Sequence, residues 1–508
     1  MVAKSSLELI IDKEIKIKPK IGDVARDTSE IVIGFVGAVG AGVSTTVKML
    51  ADILKEEYDY DVQVVKVSEL IRDNAGKTEN SQMSISGATR ITDLQRIGTD
   101  LRNSFGEDYL AAKAVELIAL SRAEDGYEDG TSSQPKALRR ATIIDSIKHQ
   151  EETRVLRRVY GDLYWQFTVF APENVRETRL RDMGVEKTLL SGIFTRDDND
   201  QNDHGQKVSK TAALSDFFLR NDHENTERLK SVLDRFMSLM FNTAVNTPTS
   251  FEAGMYAAVA AANKSACLSR QVGASIYSAV GELISVGWND VPKSKGGLYL
   301  SDDDDKDHRC FKWKGKICHN DDRKDSLYSE IYTELRESGL LSTVASVSDV
   351  RAALKRTGAK NLIEFSRSIH AEMEAIVSAA RSGKSGILGG KLFTTTFPCH
   401  NCARHIVAAG VKEVFYIEPY SKSLALDLHG DSITLVEDGT GKVRFLQYEG
   451  VGPSSMLKLF QHGIERKLDG KASTLDKKTA LPVLPPPLDG FTTHENRIIA
   501  RIKQAEDS

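Results

Sequence analysis

In the first half of the chain the apolar positions come in short unbroken runs. Ile31-Val32-Ile33-Gly34-Phe35-Val36 is the strongest, and a run apolar at every position predicts a strand covered on both faces, as in a parallel sheet. A glycine-rich turn follows, then a helical stretch to about Lys55. Val62–Val67, Ala141–Ile144 running into Asp145, and Trp165–Phe170 repeat the pattern, so strands alternate with helices as in βαβ units. Two polar stretches interrupt them, Gly126–Pro135 and Thr195–Ser209, and both are expected as loops.

The pattern restarts after Asn246-Thr247-Pro248. Phe251–Ser265 predicts an alanine-rich helix, and Gln271–Tyr277 with Glu282–Gly287 predicts a hairpin turning at Val280-Gly281. A hydrophilic insertion from Pro292 to about Lys360 carries Asp302-Asp303-Asp304-Asp305, which reads as a solvated loop. Helix, strand, helix and strand follow from Ser368 to Ile417. Beyond Gly452 a tail contains Leu484-Pro485-Pro486-Pro487, suited to an extended surface segment, and a short amphipathic helix is expected from about Glu495. The chain thus divides into an N-terminal extension (1–28), a parallel-sheet unit (29–243), a second unit (244–450, with the insertion at 292–360) and a C-terminal tail (451–508).

Composition narrows the function classes. The 508 residues are enough for roughly three domains' worth of core. With 68 basic against 72 acidic residues the net charge is −4, so no overall basic field exists to hold a long nucleic acid, and DNA is not expected as a partner. No apolar run approaches the ~20 residues of a membrane span, and the first 20 residues lack the apolar core of a signal peptide. The expectation is a cytoplasmic protein without a membrane partner. Five cysteines are too few and scattered for a disulfide framework, and Cys399 and Cys402 form a C-x-x-C, which by itself reads as a metal clip or a redox dithiol.

Candidate chemistry centres on His370-Ala371-Glu372 and, downstream, Pro398-Cys399-His400-Asn401-Cys402. One imidazole and two thiolates leave a fourth tetrahedral position open, as in a catalytic zinc site. Each group falls where a helix is expected to begin, and helix N-termini favour the anionic sulfur. Two thiolates cancel the charge of the metal, so a nearby carboxylate has to carry the proton, and Glu372 stands in that position. In the insertion, His308, Cys310, Cys318 and His319 are either ligands of a second, structural zinc or ordinary loop residues. Tyr420-Ser421-Lys422-Ser423 either supplies phosphate donors or starts a solvated helix.

A second motif, Gly37-Ala38-Val39-Gly40-Ala41-Gly42-Val43-Ser44-Thr45, lies between a strand and a helix, the context of a phosphate-binding loop. Gly37, Gly40 and Gly42 would let backbone amides approach phosphate, Ser44 or Thr45 would touch magnesium, and Asp145 would be the acidic partner. Yet Val43 stands where such loops carry lysine, and valine cannot reach phosphate oxygens. The readings are a nucleotide-sensing module with Mg²⁺, an active kinase, or a structural remnant in which the glycines serve packing.

The H-x-E with P-C-x-x-C resembles the signature of zinc-dependent nucleobase deaminases. Ser269-Arg270-Gln271-Val272-Gly273, Gly287-Trp288-Asn289-Asp290-Val291-Pro292 and Leu392-Phe393-Thr394-Thr395 are similar to the deoxycytidylate deaminase branch of the cytidine deaminase family, over about Phe251 to Ile417. The resemblance implies a three-layer α/β/α domain in which His370, Cys399 and Cys402 hold Zn²⁺ and Glu372 shuttles the proton. It implies substrate contacts by Asn289, Trp288, Arg270, Thr395 and Lys422; the branch carries tyrosine and glycine where this chain has Trp288 and Asp290. The glycine loop, Arg176, Arg179, Arg196 and Ser215–Asn221 resemble small nucleotide kinases. The pairing resembles bacterial anti-phage deoxycytidylate/dCTP deaminases, which implies conversion of dCTP to dUTP and dCMP to dUMP, homo-oligomers (hexamers among them) and inhibition by a small RNA. A housekeeping dCMP deaminase, a polynucleotide-editing deaminase and a partner-binding switch protein are the competing readings.

Overall fold

The computed structural model describes residues 28–79, 82, 87–124, 139–199, 204–222, 226–420, 423–437, 439, 441–460, 466–468 and 470–483. Expectations for the N-terminal extension before 28, Gly126–Pro135, Lys422, Leu484–Pro487 and the helix from Glu495 lie outside the described residues.

The four expected runs are strands of one sheet: β1 (Ile31–Gly37), β2 (Asp61–Lys66), β3 (Arg140–Ile147) and β4 (Tyr164–Phe170), with β5 (Phe217–Arg220) beside β4. They pair in parallel in the order 2-3-1-4-5. Every residue of β1 is buried because both faces are covered. Ile31, Ile33 and Phe35 face a core shared with α1 (Val43–Glu56), and Val32 and Val36 face a second core under α2 (Gly87–Phe105) and α3 (Tyr109–Glu124). Helix α4 (Thr226–Met240) adds Leu229, Leu233, Phe236 and Met240 to the first of these cores.

The second sheet follows α5 (Ser250–Ala262). Its elements in chain order are β6 (Gly273–Tyr277), β7 (Leu283–Trp288), α6 (His319–Glu337), α7 (Ala371–Arg381), β8 (Lys391–Thr396), α8 (His400–Ala408), β9 (Glu413–Glu418), β10 (Ile433–Thr434) and β11 (Val443–Gln447). The spatial order is 10-11-9-8-6-7, parallel from β10 to β8 and antiparallel at β6 and β7. Alternation sorts the side chains: Leu392, Val414 and Tyr416 pack under α7 and α8, while Phe393, Phe415 and Ile417 pack under α5. The hydrophilic insertion contains helix α6 and the helix Val347–Leu354.

The chain then returns to the first sheet. β12 (Gly450–Val451) pairs antiparallel with β5, and Val451, Met456, Leu459 and Ala480 enter the core around α1 and α4. The described residues just past 451, expected as the start of a tail, thus pack on the first sheet; a two-residue strand and a five-residue helix carry too little periodicity to be seen in sequence. Glu252 fastens the junction. Fully buried, it accepts from both terminal nitrogens of Arg235 at 2.8 Å and from Val451 N–H at 2.9 Å. Phe218 of β5 packs with Met255, Phe415 and Tyr448, so the two sheets share a core.

The glycine loop lies where β1 meets α1. Gly40 and Gly42 adopt φ of 82° and 83°, and a side chain at Gly42 would collide with Asn221. Ser44 Oγ donates to Asp145 Oδ2 at 2.7 Å, whereas Thr45 lines a groove beside Lys48. The cradle is filled from within. Val39 N–H donates to Asp197 Oδ2 at 2.6 Å; Lys148 Nζ donates to Asp197 Oδ1 at 2.8 Å and to the Gly37 carbonyl at 2.7 Å. Asp197 is fully buried, and Val43 is turned into the core. A magnesium nucleotide expected at Gly37, Gly40, Gly42, Ser44, Thr45 and Asp145 would have to expel a buried, ion-paired carboxylate bearing charge of the same sign. Asp197→Ala is expected to destabilise the protein by about 3–5 kcal/mol in urea unfolding, because Lys148 loses its partner. Millimolar MgATP is expected to leave the melting temperature of the wild-type protein unchanged, as read by calorimetry.

Candidate active site

Two helices begin at the same edge of the second sheet. His370 is the residue before the first turn of α7, and Cys399 holds the same position before α8. Ala371, Ala375 and Ala379 form a small, buried stripe, which lets α7 press on β7. The approach is closest at Gly287, where a Cβ would stand 2.2 Å from the Ala371 carbonyl. Cys402, Ala403 and Ile406 bury the inner face of α8, which places Cys402 one turn inside the helix.

His370, Cys399 and Cys402 bring their ligand atoms within 4.8 Å of one another, as no other group of three or more His, Cys, Asp or Glu residues does among the described residues. Both sulfurs lie 3.3 Å from His370 Nδ1. Tetrahedral zinc, with Zn–S about 2.3 Å and Zn–N about 2.0 Å, sets such donors roughly 3.5 Å apart, so donor set and spacing fit that metal. Hydrogen bonding from Cys402, with His370 assisting, draws the Cys399 thiol down to about 4, while burial pushes Cys402 up. The Cys399 contact raises His370. Glu372 Oε2 lies 3.3 Å from Cys402 Sγ, and burial raises the carboxyl above the ordinary carboxylate range.

These groups open into a cavity of about 250 Å³. Arg270 and Asn289 line it with His370, Glu372 and Cys399. Asn289 is engaged in shaping the loop: Oδ1 accepts from Val272 N–H at 2.7 Å and Nδ2 donates to the Arg270 carbonyl at 2.9 Å. Two expected substrate contacts are displaced. Trp288 lines a different groove, under Lys264 at 4.8 Å, because alternation along β7 turns it away. Thr395 is turned aside by the same rule on β8 and accepts from Gly273 N–H at 3.2 Å; Thr396 lines the cavity instead.

The insertion closes part of the cavity. Cys310, Cys318, His319 and Asn320 line it, as does Arg367, just before α7. His308, Cys310, Cys318 and His319 do not converge on one point, which corrects the second-zinc reading. Trp313 packs between the histidines, 6.1 Å from His308 and 5.3 Å from His319, while Cys310 meets Arg367 and Cys318 meets Ser269. Asp290, the departure from the expected glycine, is 1% exposed, accepts from Ala266 and Val291 N–H, and pairs with Arg309 of the insertion at 3.7 Å. An acid at that position anchors the insertion. Sequence reading singled out Cys310, Cys318 and His319 for a different role and missed Asn320 and Arg367, because a polar stretch signals solvent exposure; the only local signal for Arg367 was its place three positions before His370.

The family match covers the residues of this site. The cytidine and deoxycytidylate deaminase zinc-binding region matches residues 248–418. Deoxycytidylate deaminase of Enterobacteria phage T4 is 31% identical over 160 residues, which are 32% of this chain and 73% of the phage protein. The phage T2 deoxycytidylate deaminase is 46% identical over 55 residues, 11% of this chain and 29% of that protein. The crystal structure of dCMP deaminase from cyanophage S-TIM5 in apo form aligns with 40% of this chain and 99% of its own, at 20% identity and a TM-score of 0.22. The chain belongs to the cytidine and deoxycytidylate deaminase family.

Proposed function

We propose that the protein is a zinc-dependent hydrolase that deaminates free deoxycytidine nucleotides, dCMP to dUMP and dCTP to dUTP. The observation that carries this is the meeting of His370, Cys399 and Cys402 beside a buried Glu372 at the base of a cavity within the family region. Extension to dCTP, and to draining the dCTP pool in anti-phage defence, rests on the union of this site with the glycine-loop sheet in one chain. The net charge of −4 disfavours a polynucleotide substrate.

His370, Cys399 and Cys402 would hold the zinc, which when bound supplies a Lewis acid that makes water nucleophilic near neutral pH. Glu372 takes a proton from the attacking water and delivers it to ring N3 of the pyrimidine, then carries the remaining hydroxyl proton from the C4 oxygen to the amino nitrogen, so that the C4–N bond breaks, ammonia leaves and a uracil ring remains. Its burial suits this work, since a carboxyl raised above its ordinary range holds a transferred proton more readily. Asn289 and the loop it braces, Arg270 to Val272, form the wall against which the nucleoside is held.

Ammonia release from dCMP, dCTP and single-stranded DNA tests the reading: turnover of both nucleotides and none of the polymer is expected, dCMP alone would remove the triphosphate claim, and polymer turnover at a matching rate would replace the reading. Glu372→Gln should lower kcat/KM by about two to four orders of magnitude while the zinc content stays at the wild-type level. Cys402→Ser should lose zinc, measured by atomic emission. Because thiols bind the metal in deprotonated form, zinc affinity should rise with pH and zinc should be released on acidification.

A further inference from the structure

The cavity has two guanidinium groups in its wall, and they differ in one respect. Arg270 Nη2 is neutralised by Glu418 at 2.6 Å. Arg367 makes no ion pair among the described residues: Nη1 donates to the His308 carbonyl at 3.0 Å and lies 3.8 Å from Cys310 Sγ, and the guanidinium sits 3.8 Å over the Trp313 ring. A half-buried cation without a counter-ion is an incomplete arrangement, and an anion entering the cavity completes it.

We propose that Arg367 binds the 5′-phosphate of the nucleotide and that Trp313, delivered by the polar insertion, is the positioning residue that holds it there. This deepens the deaminase reading and rests on it. Stacking on the indole fixes the plane of the guanidinium, and the His308 carbonyl takes one corner, leaving Nε and Nη2 as a fork that matches two phosphate oxygens. Ser366 and Ser368, on either side of Arg367, also line the cavity and add hydroxyl donors. Arg367 lies three positions before His370, a Cα-to-Cα span of at most roughly 10 Å, on the scale of the length from the reacting carbon of a pyrimidine nucleotide to its phosphate. Trp313 is held in its turn. Arg309, four residues earlier and 4% exposed, bonds Asp307 at 2.8 Å and faces Asp290 at the end of the hairpin. The insertion thereby connects the nucleoside wall to the phosphate reader, and the selectivity for nucleotide over nucleoside resides in Arg367 as Trp313 holds it.

The test measures binding in a Glu372→Ala background, so that ligand survives, by calorimetry with dCMP and with deoxycytidine. dCMP is expected to bind far more tightly than deoxycytidine, and adding Arg367→Gln should reduce that ratio by about 10- to 100-fold. Arg367→Lys should restore part of it, because a point charge replaces the fork. Trp313→Ala should weaken dCMP more than deoxycytidine. The salt dependence of dCMP binding should flatten in Arg367→Gln. A ratio that survives Arg367→Gln, equal losses for both ligands, or no preference for dCMP in the parent would each overturn the proposal. Failure of the enzyme with Glu372 intact to release ammonia from dCMP overturns the deaminase reading instead, and the binding ratio still decides the role of Arg367.

Discussion

Two helices starting at one edge of a sheet, with a histidine before the first turn of one and a cysteine before the first turn of the other, bring three donor atoms together, and the site depends on that meeting. The strands set it. β8 leads directly into α8, and α7 is pressed on β7 at Gly287, so the helix starts cannot drift apart without breaking buried packing. The backbone N–H of Cys402, in the first turn of α8, donates to the Cys399 sulfur and helps hold it anionic, which a metal ligand needs and a buried thiol would otherwise resist. The same burial that restrains the thiols raises Glu372.

The parts of this arrangement that are local in sequence were legible. The solid apolar runs are strands of the parallel sheet, and the alternation over 271–287 is the hairpin β6–β7. H-x-E and C-x-x-C are short motifs whose side chains leave from adjacent helix starts, so their proximity was readable as well. What was hidden depends on chain segments distant in sequence. Nothing near Val39 announces that Asp197, 158 positions on, fills the loop, and nothing near Arg367 announces Trp313. Trp288 and Thr395 failed for a different reason: a motif names residues, but the period-two alternation of a strand decides which side they face.

The insertion changes meaning once its contacts are known. A stretch with four consecutive aspartates reads as solvent-facing, and that run is indeed mostly exposed, with Asp303 held by Lys293. Yet Arg309 and Asp307 beside it are buried, joined to Asp290 where the family pattern has glycine. The acid at 290 and the insertion are thus joined by one buried ion pair.

The brief strand β12 completes the edge of a sheet whose other strands lie some 230 or more residues earlier, since it pairs Gly450 with Phe218. Protein synthesis runs from the N-terminus, so while the ribosome works through the intervening segment, the border strand β5 stays bare and Phe218 lacks its cover. Nascent chains must cross that interval with an adhesive rim on display, and maturation of the earlier half ends only when the later half has emerged. Severing the polypeptide between the two halves would consequently damage both.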